Sequence, residues 1–402
     1  MAQTFASILE RLYPDGIAHA AYTQANTDTF LSLVRKNSKG FGSGFDVLVV
    51  PSLGPSRSAD FQTSRRNRGN GSSVRFRLDY KNDYSNVVID AKDWTASKGE
   101  GTTTELLSLQ MDNAMENIRN SLAQGCAGDG SGAQLRISAI NTGSSYFETA
   151  DPRDLRYIDV DHVLESSATR TGGTKRAGTA VVTRVVKDIG AAGRVYYTAL
   201  GGWAPVVSDW VYMEGDKDSK IQGVAAWIPT TSPAPGDNFG GIDRSTNPTA
   251  LAGLRISQTG APTHEEAIIR AMEGFRNFGA APTHLFVNPR NFSQLESELT
   301  TRKRIVKVEH ENEYELGIEG IAMANGGVVV QDPNFPVGFA YALTLKDWEL
   351  MSMKEAPHLE NEDNLKLLRM DDADAFEARM RAWVNLKCNN PAKSGVIFLP
   401  AI

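Results

Sequence analysis

The sequence is short of cysteine, with two in 402 residues, Cys126 and Cys388. Two thiols cannot build a disulfide scaffold or a four-cysteine zinc site, and a reduced compartment is the simpler setting. Histidine is scarce as well, at six. "HEEAI" at His264 and "HENEY" at His310 each lack the second histidine of H-E-x-x-H. No run approaches the roughly 18 uncharged apolar residues needed to cross a bilayer. The opening "MAQTFASILERLYPDG" lacks the basic and apolar regions of a secretory signal. A soluble protein made in the cytoplasm is expected. There is no positive excess either, since the formal net charge is -6. That weighs against a dedicated nucleic-acid binder and against a coat for anionic membranes.

What is present is ordinary folded composition with many glycines, 36 in all. The length suits two or three domains or lobes. Residues 1–44 read as short helices, one near Phe5 to Leu12 and a second over 18–36, ended by the glycine run "KGFGSGF". "FDVLVVPSL" and the alternating "VRFRLDY" predict strands of a hairpin, with Val74, Phe76 and Leu78 on one side and Arg75, Arg77 and Asp79 on the other. Between them, "SRSADFQTSRRNRGNGSS" predicts a polar, mobile tip. The strongest helix signal is "TTTELLSLQMDNAMENIRNSLAQG". Thr102 and Glu105 match a capping box, Leu107, Met111, Met115, Ile118 and Leu122 form one apolar stripe, and Gly125 is the expected stop. About 22 residues make a rod of roughly 33 Å, suited to lying along a sheet. β-rich runs follow, among them "AVVTRVV", "RVYYTAL" and "DWVYMEG". After the loop "SPAPGDNFGGIDRSTNP" comes an α/β unit: "THEEAIIRAMEGFRNFG", "THLFVNP" and "RNFSQLESEL". "GGVVVQDPNF", "GFAYALTL", "WELMSM", the long alternating "DAFEARMRAWVNLKC" and "GVIFL" read as strands.

Candidate chemistry is thin. In "CAGDGSGAQLRI" a helix precedes the glycine turn, a strand follows it and no lysine is present, the reverse of a phosphate loop. "GFGSGF" has its glycines in the wrong register for a nucleophile elbow. "MDDADAFE" lacks the glycine and final glutamate of a calcium loop. "DVDHV", with Asp159, Asp161 and His162, could ligate a cation or serve a hydrolase, or be a polar turn. The one basic cluster is Arg57, Arg65, Arg66, Arg68, Arg75 and Arg77. It could bind a phosphate backbone, be a solvated hairpin tip, or dock on acidic patches of a neighbouring chain. The third reading is favoured, with "EHENEYELGIEG" and "HLENEDN" as candidate partners. No catalytic constellation, metal site or cofactor site is expected.

The order of elements resembles the major capsid proteins of tailed bacteriophages, with the Hong Kong 97-like α+β fold. "ENIRNSLAQGCAGDGSGAQLRI" resembles the end of that family's spine helix and the turn after it. "KIQGVAAWIP" followed by "NFGGIDRSTNP", then "THLFVNPRNFSQLE" and "FEARMRAWVNLKCNNPAKSGVIFLP", resemble later segments in the same order. The resemblance implies an N-terminal arm at 1–44 that clasps a neighbour and an extended loop (E-loop) hairpin at 45–100. It implies a peripheral domain at 101–145 and 340–388 that holds the spine helix, and an axial domain at 146–339 and 389–402. It places the six arginines at intersubunit contacts and the five stripe residues in spine-helix packing.

The implied function is a major capsid protein, not an enzyme. It would assemble as hexamers and pentamers into an icosahedral virion head around double-stranded DNA, in the host cytoplasm. Portal, scaffolding and decoration proteins are the implied partners, with no membrane and no cofactor. Some members carry a long N-terminal scaffolding region; residues 1–44 leave no room for one, so separate scaffolding or none is expected. An encapsulin-like compartment is the alternative within the fold, and a hydrolase or a nucleic-acid-binding module lies outside it.

Overall fold

The computed structural model describes residues 29–52, 54, 56–67, 69, 71–92, 102–257, 260, 263–302, 321–322, 327–360 and 368–401, without side chains at 102–109, 300–302 and 321–322. The first expected helix, the acidic stretch 309–320, Arg68 and the Leu107 side chain lie outside the described residues. Gly128–Ile221 form one compact unit, and the described residues on either side form the other.

The larger unit begins with α1 (Thr29–Leu33) and β1 (Arg35–Asn37). The helix expected to reach Lys36 stops at Leu33, because 35–37 pair in parallel with Glu349–Met351 and a ladder replaces helical bonds. Phe30, Leu31 and Val34 are buried. The Phe30 ring meets Phe286, Phe335 and Trp348 edge-on at 5.3, 6.0 and 6.4 Å, and its N–H donates to the Asp332 carboxylate at 3.1 Å. Phe30, Leu31 and Val34 of the expected arm are therefore part of the chain's own core, while residues 38, 39 and 41–43 are exposed.

Then come β2 (Gly44–Ser52), α2 (Phe61–Arg66), β3 (Ser72–Asp79), β4 (Lys81–Asp90) and α3 (Thr102–Ala127). β2 and β3 form the expected hairpin. Its tip is not loop throughout: Asp60 caps α2 by accepting the Thr63 N–H at 2.7 Å. Met111, Met115, Ile118 and Leu122 of α3 are buried. The helix also passes the stop expected at Gly125. Cys126 continues the stripe one turn beyond Leu122 and is fully buried, and this burial outweighs glycine's weak helix propensity.

The smaller unit is a closed antiparallel barrel of β5 (Ala133–Asn141), β6 (Tyr146–Thr149), β7 (Val163–Ser167), β8 (Thr179–Val186), β9 (Gly193–Leu200) and β10 (Trp210–Met213), in the order β10-β5-β6-β9-β8-β7. Alternate residues point inward, and Leu135, Ile137, Phe147, Leu164, Val182, Val195 and Val211 fill it. The division expected at residue 145 thus falls between two paired strands, β5 and β6.

The larger unit resumes with α4 (Val224–Trp227), β11 (Asn238–Phe239), β12 (Ile242–Asp243), α5 (Pro248–Ala252), β13 (Leu254–Ser257), α6 (His264–Asn277), β14 (His284–Val287), α7 (Pro289–Arg302), β15 (Ile321–Ala322), β16 (Val328–Gln331) and β17 (Phe339–Leu343). It ends with β18 (Trp348–Ser352), β19 (His358–Leu359), β20 (Leu368–Arg369), β21 (Ala375–Cys388) and β22 (Gly395–Phe398). One sheet runs β13-β22-β17-β14-β16-β15. Ala271 and Phe275 of α6 and Phe292 and Leu295 of α7 share its core with Leu285, Val287, Ala340 and Ile397. β17 pairs here with β14 and β22, although the expected boundary at 340 assigned it to the other lobe. The second sheet runs β1-β18-β21-β19, with β4 and β20 also on β21. Here β21 is the long strand expected from alternation, and α3 lies against β4 and β21.

Candidate intersubunit surface

The hairpin obeys the period-2 rule of a half-buried ladder. Phe45–Leu78, Val47–Phe76 and Val49–Val74 are cross-strand pairs, and Val47, Val49, Phe76 and Leu78 are buried. The opposite face carries Asp46 across from Arg77 and Leu48 across from Arg75. Leu48 is 60% exposed and Val50 54%, and Phe61 in α2 is 73% exposed. Among the described residues, these are large apolar side chains left open to solvent on one face of the ladder and at its tip.

The structure divides the arginine cluster in two. Arg75 and Arg77 point outward from the ladder and share Asp46, at 3.5 and 3.3 Å. Arg77 also reaches Asp79 at 3.8 Å. Arg57 precedes α2, and Arg65 and Arg66 lie in its last turn; all three are exposed. The ladder face is close to charge-balanced, and the positive excess sits at the tip. Exposed ion pairs of this kind contribute only about 0–1 kcal/mol, so stability of the isolated chain does not account for so many arginines. Of the acidic partners expected in "HLENEDN", Glu360 is already engaged within its own chain, by Arg381 at 2.5 Å and Arg379 at 3.8 Å. Residues 361–364 lie outside the described residues.

The root of the hairpin holds residues that sequence reading passed over as loop. Phe76 packs 5.3 Å from Trp227 and 6.0 Å from Phe239, whose rings are themselves 5.0 Å apart. Arg244, only 5% exposed, donates to the Ala226 and Trp227 carbonyls at 2.7 and 3.3 Å and to Asp237 at 3.2 Å. Its guanidinium also lies 4.6 Å from the centre of the Phe239 ring. Burial lowers its pKa, with Asp237 opposing. The available signal was an aromatic residue and an arginine inside a glycine-rich acidic loop, too little to show which strands the loop would touch.

The glycine turn after α3 is a structural corner. Gly130 and Gly132 have φ of 85° and 73°. Asp129 accepts from the Ser131 N–H and hydroxyl at 3.1 and 2.5 Å and pairs with Arg170 at 2.8 Å. A Cβ on Gly132 would stand 2.4 Å from the Asp216 carbonyl oxygen. The Asp129 carboxylate thus takes up two donors of the turn itself, the Ser131 N–H and hydroxyl. Asp159, Asp161 and His162 form a turn before β7: the Asp159 N–H donates to His162 Nδ1 at 3.2 Å, and its carboxylate meets Lys187 at 3.0 Å. Asp161 has φ 68°, which places it at the corner. Among the described residues no group of three metal-ligating side chains converges, and no helix is long and apolar enough to cross a membrane.

No family model matches the chain, and no curated protein matches it. Among solved structures, a chain of the cyanophage A-1(L) capsid asymmetric unit is 12% identical, covers 92% of each chain and superposes with a TM-score of 0.55. A chain from the capsid of a native GTA particle is 10% identical over 94% of this chain and 91% of that one, with a TM-score of 0.48. A chain of the holo-SrpI encapsulin complex from Synechococcus elongatus PCC 7942 is 8% identical over 92% and 86%, with a TM-score of 0.42. The first of these likenesses establishes the fold: mixed α and β, of the Hong Kong 97 type found in tailed-phage capsid proteins.

Proposed function

We propose that this chain is the major capsid protein of a tailed phage, a structural protein that assembles as hexamers and pentamers into an icosahedral head around double-stranded DNA. One observation carries the reading beyond the fold. The β2–β3 hairpin is an extended element that buries one face on its own chain and offers Leu48 and Val50 on the other, with Phe61 and an arginine excess exposed at its tip. Such an element gains stability when a neighbouring subunit covers it.

In this reading the hairpin is the E-loop, α3 is the spine helix, and the β21 sheet with α3 is the peripheral domain. The sheet built on β14, β17 and β22 with α6 and α7 belongs to the axial domain. Arg57, Arg65, Arg66, Arg68, Arg75 and Arg77 meet an adjacent subunit, and their forks suit carboxylates there. Portal, scaffolding and decoration proteins are the partner classes that this reading implies. DNA is enclosed without sequence-specific contact, in keeping with the net charge of -6.

Negative-stain microscopy and native mass spectrometry of the purified chain test the proposal. Closed shells or tubes of hexagonally arrayed subunits are expected under assembly conditions. A small closed oligomer as the sole product would sink it. Replacing the five described arginines with serine is expected to abolish shells while the chain stays folded.

A further inference from the structure

Residues 236–247, "GDNFGGIDRSTN", run beside the hairpin and touch both of its strands. The Arg77 N–H donates to the Gly240 carbonyl at 2.9 Å, which holds β3 near its root. Asn247 Nδ2 donates to the Pro51 carbonyl at 2.9 Å, which holds β2 near its outer end. The two anchors lie near opposite ends of the 44–52/72–79 ladder, so the part of the hairpin beyond them is the tip, residues 53–71. Between the anchors, Phe76 sits against Trp227 and Phe239.

We infer that this segment is a strap that fixes the direction in which the hairpin leaves the body, with Arg244 as its positioning residue. The strap is closed on itself. The Asp243 carboxylate accepts from the Gly236 N–H at 3.2 Å and the Ser245 N–H at 2.8 Å, and β11 pairs with β12 to make a tight return. Arg244 reaches from this return to the Ala226 and Trp227 carbonyls, to Asp237 and to the face of Phe239. It thereby locks the two aromatic rings that Phe76 packs on. Trp227 passes the constraint to the long strand, since its indole N–H donates to the Leu386 carbonyl at 2.9 Å. Asn247 does two jobs with one side chain: Oδ1 accepts the Ala250 N–H at 3.2 Å and caps α5, while Nδ2 holds Pro51. Arg255 adds a second cationic fork on the same loops, donating to the Pro229, Pro248, Ala252 and Gly253 carbonyls at 3.1–3.3 Å.

Gly240 shows how closely the strap is fitted. It has φ 56°, and a Cβ there would lie 3.2 Å from the Arg77 carbonyl oxygen and from the Phe76 Cβ. The residue is therefore constrained by conformation and by space together. The consequence for assembly rests on the shell reading. The hairpin would be aimed within each subunit before any neighbour arrives, so an incoming subunit meets a preset ladder.

The test uses the full chain, unassembled, with hydrogen exchange read at the backbone amides of 44–52 and 72–79. Arg244→Met keeps the stem and removes the fork. It is expected to speed exchange in both strands by about tenfold or more, the ratio that losing one buried charged hydrogen bond corresponds to. Exchange in α6, α7 and the barrel strands is expected to stay unchanged. Should Arg244→Met not fold, Asn247→Ala is the milder variant, expected to speed exchange in β2 and leave β3 as it was. Unchanged exchange in the hairpin of the folded variants overturns the strap. In an assembly assay, Arg244→Met is expected to give misshapen or open products in place of closed shells. If the wild-type chain builds no shell while the exchange result holds, the shell reading fails and the strap stands. If shells form normally from the variant with unchanged exchange, the strap fails and the shell reading stands.

Discussion

The barrel and the β2–β3 hairpin use the same ladder in opposite ways. Both are antiparallel and alternate apolar with polar residues along each strand. The barrel closes on itself, leaves no strand edge and fills its centre with its own side chains. The hairpin has two strands, and its buried face is completed by Trp227 and Phe239 from distant sequence. An isolated two-stranded hairpin is marginal in water. The barrel is thus stable on its own account, and the hairpin only as far as its strap holds.

The strongest way to break this contrast is to cut each core. Phe147→Ala in the barrel and Phe76→Ala in the hairpin each remove a fully buried ring. Each is expected to cost about 3–5 kcal/mol, but in different places. Hydrogen exchange should show Phe147→Ala opening the barrel strands alone, and Phe76→Ala releasing β2 and β3 while the barrel stays protected. Equal loosening of both regions by either change would erase the distinction.

Gly132→Ala comes next. It forces a Cβ toward the Asp216 carbonyl at φ 73° and is expected to cost the barrel about 1–3 kcal/mol in a denaturant titration.

Alkali should reach both regions. Burial pushes the Tyr212 phenol up to about 12 and raises those of Tyr197 in the barrel and Tyr80 beside the hairpin. A raised phenol pKa means that the folded chain keeps its proton where the unfolded chain has lost it. The associated stability is complete below about pH 10 and falls as pH climbs toward 12. Tyr212→Phe is expected to remove the Tyr212 share of that fall, measured by denaturant midpoints across the window, and to leave the Tyr197 and Tyr80 shares.

The smallest effect is expected from Asp46→Asn, which removes the exposed carboxylate between Arg75 and Arg77. It should change chain stability by less than about 1 kcal/mol. A larger loss would mean that the outer face of the hairpin contributes to folding and is not reserved for contact.

The sequence was readable wherever one strand or helix carries its own periodicity. β21 declared itself by the alternation from Phe376 to Val384, and α3 by its stripe. α6, β14 and α7 followed each other as written. What did not show was pairing between distant segments. Nothing in "DWVYMEG" says that β10 lies between β5 and β7 and closes a barrel. Gly125 looked like a stop because the burial of Cys126 is a tertiary fact. The Arg244 strap was hidden for the same reason: its polar, glycine-rich composition is that of a loop, and only the fold gives it carbonyls to hold.

The pairing of β21 with β4 has a mechanical side. Ala375 to Val384 lie opposite Asp90 to Lys81 without a break in register. A pull along the strands would load these pairings together, in shear, whereas a pull across them would open them one at a time like a zipper. The chain is therefore stiff along this axis and yielding across it. A container swollen from inside would be strongest if this ladder lay tangent to its wall.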